Sequence, residues 1–263
     1  MTTVQRESAG ILLRRWRERR GLSQLALANL AGVSARHLSF VETGRSNPSR
    51  RLLLDLSEHL DLPLRERNAL LLSAGLAPAY PEHRFGDVPM AVVSEAIGRI
   101  LTSHMPFPAL IVDRHWTMID ANDAIAAFVT DCAPALLEPP VNVLRLTLHP
   151  GGLAPRIINL PQWRSHLLAR LRHQIAATAD PELMRLLDEL EGYPHAGYDG
   201  STSRDDSAAT LVVPLRLRAG GDELSLLSTT TLFGTPLDVT VSELAIEAFY
   251  PADDATSRLL LGR

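Results

Sequence analysis

The chain has 263 residues, 46% hydrophobic and 21% charged, a composition that supports buried cores and excludes global disorder. No apolar run approaches the ~20 residues that span a bilayer, and the start, MTTVQRESAG, carries no signal-peptide pattern, so a cytoplasmic protein without membrane insertion is expected. The net charge of −4 divides unevenly: residues 1–80 hold 12 Arg against 7 Asp and Glu, net +5, and the rest is net −9, so only the head is suited to a polyanion.

In chain order, the first eighty residues read as five short helices separated by tight turns. Ile11, Leu12 and Trp16 fall on one face of an arginine-rich helix that ends at Gly21. Ser23 caps a second helix with Leu27, Ala28 and Ala31 inward and Gly32 as its stop. Ser34 caps a third, with Leu38 and Val41 inward, ending at Gly44. Pro48-Ser49 opens a fourth with Leu53, Leu56 and Leu60 at helical spacing, and a fifth runs from about Leu64 to Ala74, before Gly75. Residues 76–92, with Pro78, Pro81, Gly86 and Pro89, have linker composition.

Beyond the linker the texture changes. A helix is expected from Val93 to about Ser103, then two short strands within 107–121 that turn at Asp113-Arg114-His115. Asn122 is the expected cap of a helix through Val129, and helices follow at about 160–178 and 181–191. Ala208 to Leu217 and Glu223 to Phe233 form an expected hairpin around Ala219-Gly220-Gly221-Asp222, with Pro214 at an edge or bulge. A strand over Ala245 to Tyr250 and a helix over Ala252 to Leu261 close an α+β order with an antiparallel sheet.

The most specific stretch is Gly21 to Ser49. Two helices joined by Ala31-Gly32-Val33-Ser34 must cross steeply; Ala28 and Ala31 are small enough to permit it, and Gly32 can take the positive φ that leaves the first helix. Such a pair presents the start of its second helix as a ridge about as wide as the major groove. Through Ser23-Gln24, Leu27-Ala28, Leu30-Ala31-Gly32-Val33-Ser34, Leu38, Val41-Glu42, Gly44-Arg45 and Pro48-Ser49, the sequence resembles the XRE family of helix-turn-helix regulators, relatives of the phage repressor and Cro proteins. Leu25 and Ala26 depart from it, standing where the family usually has polar groups.

The resemblance implies a lambda-repressor-like, all-α five-helix DNA-binding domain over 1–77, acting on double-stranded DNA as a homodimer. With the chemistry of the side chains it implies that Gln24 and Arg45 contact phosphate and that Ser34, Arg36, His37 and Ser39 face the bases. Arg36 suits a fork to guanine O6 and N7. All 26 basic residues are Arg, which favours such bidentate contacts.

The region after the linker 78–92 has a looser likeness. Pro106-Phe107-Pro108-Ala109, Val112-Asp113-Arg114-His115-Trp116, Asp120-Ala121-Asn122, Asn142-Val143-Leu144-Arg145-Leu146, Phe233 to Asp238 and Phe249 to Asp253 resemble the MmyB-like ligand-binding domain. This implies a PAS-like α+β domain over 93–263 and a small apolar, fatty-acid-like ligand, with no other cofactor. An apolar pocket with few polar anchors would then draw on Phe107, Ile111, Trp116, Phe128 and Trp163, with Arg145 as a carboxylate anchor.

No GxSxG, HExxH, GxxxxGK[ST] or GxGxxG is present, so an enzyme is not expected. His166 and His173 share a helix face without carboxylate or thiolate neighbours, a weak basis for a metal. The single cysteine, Cys132, reads as a buried structural thiol. Asp205-Asp206 reads as part of a polar loop. A ligand-responsive regulator is therefore the leading expectation; an adaptor or antitoxin-like protein whose second domain binds a protein partner is the alternative.

Overall fold

A computed structural model describes residues 7–194 and 212–262, so the front of the expected strand at 208–211 and the Asp205-Asp206 loop lie outside the described residues. The chain forms two compact units, residues 1–83 with 236–242, and residues 84–235 with 243–263.

The first unit holds α1 (Ala9–Arg19), α2 (Gln24–Leu30), α3 (Ala35–Glu42), α4 (Arg50–His59) and α5 (Leu64–Ser73). Serine starts four of them: Ser8, Ser23, Ser34 and Ser49 each accept a hydrogen bond from the backbone N–H three residues on, satisfying a donor the helix leaves open. Leu13, Trp16, Leu27, Leu38, Leu53 and Leu71 fill the core. One expected position moves: Ile11 is 52% exposed and Leu13 is fully buried, because Ala9, Leu13 and Trp16 share the inward face of α1 at helical spacing. Residues 236–242, assigned from sequence to 93–263, pack in this unit through α11 (Val239–Ser242).

The second unit holds α6 (Ala91–Ser103), β1 (Ala109–Val112), β2 (Met118–Ala121), α7 (Ala124–Val129), α8 (Val143–Leu148), α9 (Leu160–Thr178) and α10 (Pro181–Glu191). It continues with β3 (Leu215–Ala219), β4 (Asp222–Leu232), β5 (Ala245–Pro251) and α12 (Asp254–Leu260). The strands make one antiparallel five-stranded sheet, ordered β2-β1-β5-β4-β3, the PAS-like arrangement expected. Strand alternation gives β1 two buried faces. Ala109 and Ile111 join Ile97 and Leu101 of α6, whereas Leu110 and Val112 join the larger core of α8, α9 and α10.

Asn122 does not cap α7 as expected. Its side chain is buried, accepting from the Ala109 N–H at 3.1 Å and donating to the Leu101 and Phe107 carbonyls at 3.2 and 2.8 Å. It thus ties β2 to the turn after α6. Pro214 stands just before β3, an edge strand, where its missing N–H costs no ladder bond.

Candidate nucleic-acid interface and ligand cavity

The turn between α2 and α3 works as its sequence requires. Gly32 adopts φ +64° at the end of α2, and the Val33 N–H returns to the Ala28 carbonyl at 2.9 Å. Ala28 is fully buried beneath the crossing. From the other side α1 comes so close that a Cβ on Gly10 would sit 2.6 Å from the Glu42 carbonyl oxygen and against that of Val41.

A buried ion pair anchors the far end of α3. Glu42 Oε1 accepts from Arg17 Nε at 2.6 Å and Oε2 from Arg17 Nη2 at 2.9 Å; the side chains are 1% and 8% exposed. Arg17 Nη1 also donates to the Leu22 carbonyl at 2.8 Å, and the bond to Glu42 raises the Arg17 pKa above its ordinary value. Gln24 Nε2 completes the set, donating to Glu42 Oε2 at 2.8 Å. One amide hydrogen of Gln24 is therefore committed, while the other and Oε1 stay available at the first residue of α2.

The remaining DNA-facing candidates lie along α3. Ser34 is exposed, and its Oγ takes the His37 N–H at 3.1 Å, leaving its own proton to donate. Arg36 is exposed with its guanidinium carbon 5.3 Å from the Phe40 ring centre. His37 and Ser39 are half-buried, and Arg45 is exposed just past Gly44, which takes φ +71°. Five arginines of this unit, Arg14, Arg15, Arg17, Arg51 and Arg65, pair with carboxylates. Among the described residues Arg36 and Arg45 do not. Leu25, the departure noted from sequence, is 61% exposed.

In the second unit a cavity opens between the sheet and α7, α8 and α9. Its free space is about 790 Å³ including the open mouth. Trp116, Phe128 and Trp163 line it, as expected from sequence, together with Leu110, Leu144 and Phe249. Three expected lining residues do not. Ile111 points to the α6 side of the sheet, the necessary result of one step of strand alternation. Phe107 is half-buried beside His104, at a ring-centre distance of 6.0 Å. Arg145 lies outside the wall and is held by Glu189, with Nε 2.8 Å from Oε1 and Nη2 2.8 Å from Oε2.

The cavity's polar side comes from residues the sequence reading left out. Arg170 Nη2 and Nη1 reach Glu247 Oε1 and Oε2 at 2.8 and 3.2 Å, and Thr230 Oγ1 donates to Glu247 Oε1 at 2.9 Å. The Arg170 guanidinium carbon lies 4.9 Å from the Trp116 ring centre. Arg170 follows Trp163 by seven residues on α9, two turns on the same face, and that spacing was the available signal. Trp116 takes φ +66°, a region costly to a bulky side chain, in a turn where Asp113 Oδ1 accepts the His115 and Thr117 N–H groups, both at 2.8 Å.

Residues 93–261 match the family described as the MmyB-like transcription regulator ligand binding domain. The chain belongs to that family. Ahead of the MmyB-like domain, residues 8–70 match a helix-turn-helix domain family, and the two together make the chain a DNA-binding transcriptional regulator. Similar solved structures include the restriction-modification controller protein C.AhdI from Aeromonas hydrophila, 39% identical over 22% of this chain and 89% of that one, TM-score 0.22. The clp gene regulator ClgR from Corynebacterium glutamicum is 27% identical over 38% of this chain and 94% of that one, TM-score 0.24. An RNA-binding light-oxygen-voltage receptor is 13% identical over 98% of this chain and 61% of that one, TM-score 0.30. No curated protein matches the chain.

Elsewhere, Cys132 is buried, and that burial pushes its thiol pKa up. Among the described residues no group of three or more His, Cys, Asp and Glu is placed to hold a metal ion, and no helix is long and apolar enough to cross a membrane.

Proposed function

We propose that this MmyB-like regulator reads operator DNA through α3 and the start of α2, and that a small apolar ligand in the second unit adjusts that binding. The supporting observation is the pair of exposed arginines, Arg36 and Arg45, free of carboxylate partners at the two ends of α3. In this reading Gln24 and Arg45 hold phosphates, and Ser34, Arg36, His37 and Ser39 meet base edges. Glu42 contributes by fixing the Gln24 amide before DNA arrives. A homodimer would place two such surfaces on half-sites about one helical turn apart.

Ligand control requires the ligand to bind the DNA-competent and DNA-incompetent arrangements with different affinity, and the reciprocal effect of DNA on ligand affinity must be equal. The apolar cavity behind Trp116, Phe128 and Trp163 supports this part of the reading.

Replacing Arg36 with Ala tests the DNA-reading assignment by titration of operator and random duplexes across salt. A base-reading Arg36 loses about 1–3 kcal/mol on operator alone. Equal loss on both duplexes, with a salt slope shallower by about 0.9, makes it a phosphate contact instead.

A further inference from the structure

Arg36 is held differently from most arginines of the first unit. Arg17, Arg20, Arg50 and Arg67 each donate to a backbone carbonyl. Among the described residues no hydrogen bond or ion pair takes the Arg36 guanidinium, which lies instead over the Phe40 ring, its carbon 5.3 Å from the ring centre. That is within the distance at which the negative face of an aromatic ring attracts a cation.

The spacing makes the stack. Residues four apart share a helix face, and side chains lean toward the helix N-terminus, so Phe40 reaches back over the turn that carries Arg36. Phe40 is half-buried, and its backbone is fixed at the other end of α3. Its carbonyl accepts the Arg45 N–H at 2.8 Å and the Ser46 N–H at 3.1 Å, closing the helix ahead of the loop. Arg36, by contrast, is exposed and has a long flexible stem. The ring is thus the fixed partner and the guanidinium the one that is ordered.

Stacking and base reading use different parts of a guanidinium. The ring occupies one face, whereas the N–H donors that fork to guanine O6 and N7 lie in the guanidinium plane and stay free. Resting on the reading that Arg36 meets a base edge, we propose that Phe40 is a positioning residue for that contact. Its ring holds the Arg36 guanidinium in place before DNA arrives, so less side-chain freedom is lost on docking. Phe40 acts through Arg36 and carries no charge for phosphate. It therefore sharpens the choice at one base position and leaves sequence-independent affinity alone.

The test is selection of bound duplexes from a randomised DNA library by the full chain, with base preference read at each position. Arg36→Ala first marks the position that Arg36 reads, where the parent's preference is lost. Phe40→Leu keeps an apolar side chain without a ring face. It should weaken preference at that same position about two- to fivefold, with other positions and random-duplex affinity unchanged. Phe40→Tyr keeps the face and should keep the parent's preference. In the Arg36→Ala background Phe40→Leu should change nothing further, since the two side chains act as one unit. Should Phe40→Leu melt far below the parent, Phe40→Met takes its place. Equal weakening at every position, full preference retained without the ring, or loss in Phe40→Tyr as great as in Phe40→Leu would overturn the positioning role alone. A parent that selects no sequence, or an Arg36→Ala variant that loses no position, would overturn the base-reading assignment and this inference with it.

Discussion

Glu42 holds three donors from two other segments, and the junction of α1, α2 and α3 depends on it. Its carboxylate is 1% exposed and takes both Arg17 and Gln24. Replacing a buried ion pair wholesale with apolar residues is often neutral, but removing one partner leaves an uncompensated charge. Glu42→Ala is therefore expected to lower unfolding free energy by roughly 3–5 kcal/mol in urea titration, and Arg17→Met with Glu42→Leu by less. A loss below about 1 kcal/mol for the single variant would mean that Arg17 finds water on its own. His166 is a second residue-scale case. Burial, aided by nearby Arg170, holds its imidazole below the ordinary value of 6.5. The unfolded chain then binds the proton more readily, so this contribution to stability is complete above pH 6.5 and is lost as pH falls toward the lower folded value. His166→Gln lacks that penalty: its melting temperature should gain on that of the parent as pH falls from 7.5 to 5. A constant difference would refute the assignment.

At the scale of elements, helix packing in the first unit turns on a glycine whose conformation is ordinary but whose neighbours are not. A Cβ at position 10 would overlap the carbonyls of Val41 and Glu42, both backbone atoms that cannot swing aside. Gly10→Ala gains helix propensity but must push α1 from α3, and a net loss of about 1–3 kcal/mol is expected by thermal melting. A stabilised variant would show that the two helices separate freely. The same elements explain what the sequence makes legible. In the first unit α1 to α4 carry Ser caps and α1, α2, α3 and α5 end at a positive-φ Gly, signals that act locally, so these helices can be read without knowing the tertiary fold. By contrast α8 was not expected as a helix. Its buried Leu144, Leu146 and Leu148 alternate as in a strand, and burial on several sides removes the polar face that would reveal the turn. The cavity was half legible: large aromatics mark it, but Ile111 needed the strand phase, and the partner of Arg145 lies 44 residues along the chain at Glu189. Pairings of that range, like Arg170 with Glu247, leave no mark on local sequence.

The whole chain shows its least expected feature between β4 and β5, strands that line the cavity through Leu226, Ser228, Glu247 and Phe249. The intervening residues 236–242 belong to the first compact unit rather than the sheet unit that flanks them in sequence. Val239 is fully buried there, its N–H 2.9 Å from the Pro81 carbonyl. Asp238 Oδ2 lies 2.8 Å from His83 Nδ1, and Thr240 Oγ1 donates to the His83 carbonyl at 2.6 Å. A helix-turn-helix unit that borrows a buried residue from so far along the chain should feel its loss. Val239→Ala in the full chain is expected to destabilise the first unit by about 1–3 kcal/mol through the transfer and cavity terms. Amide hydrogen exchange locates the effect, because local opening reports the unit in which each amide lies. Protection should fall at the amides of α5, which packs with α11, while those of β1 and β5 keep theirs. Loss confined to β4 and β5 would instead assign 236–242 to the sheet and remove it from the first unit.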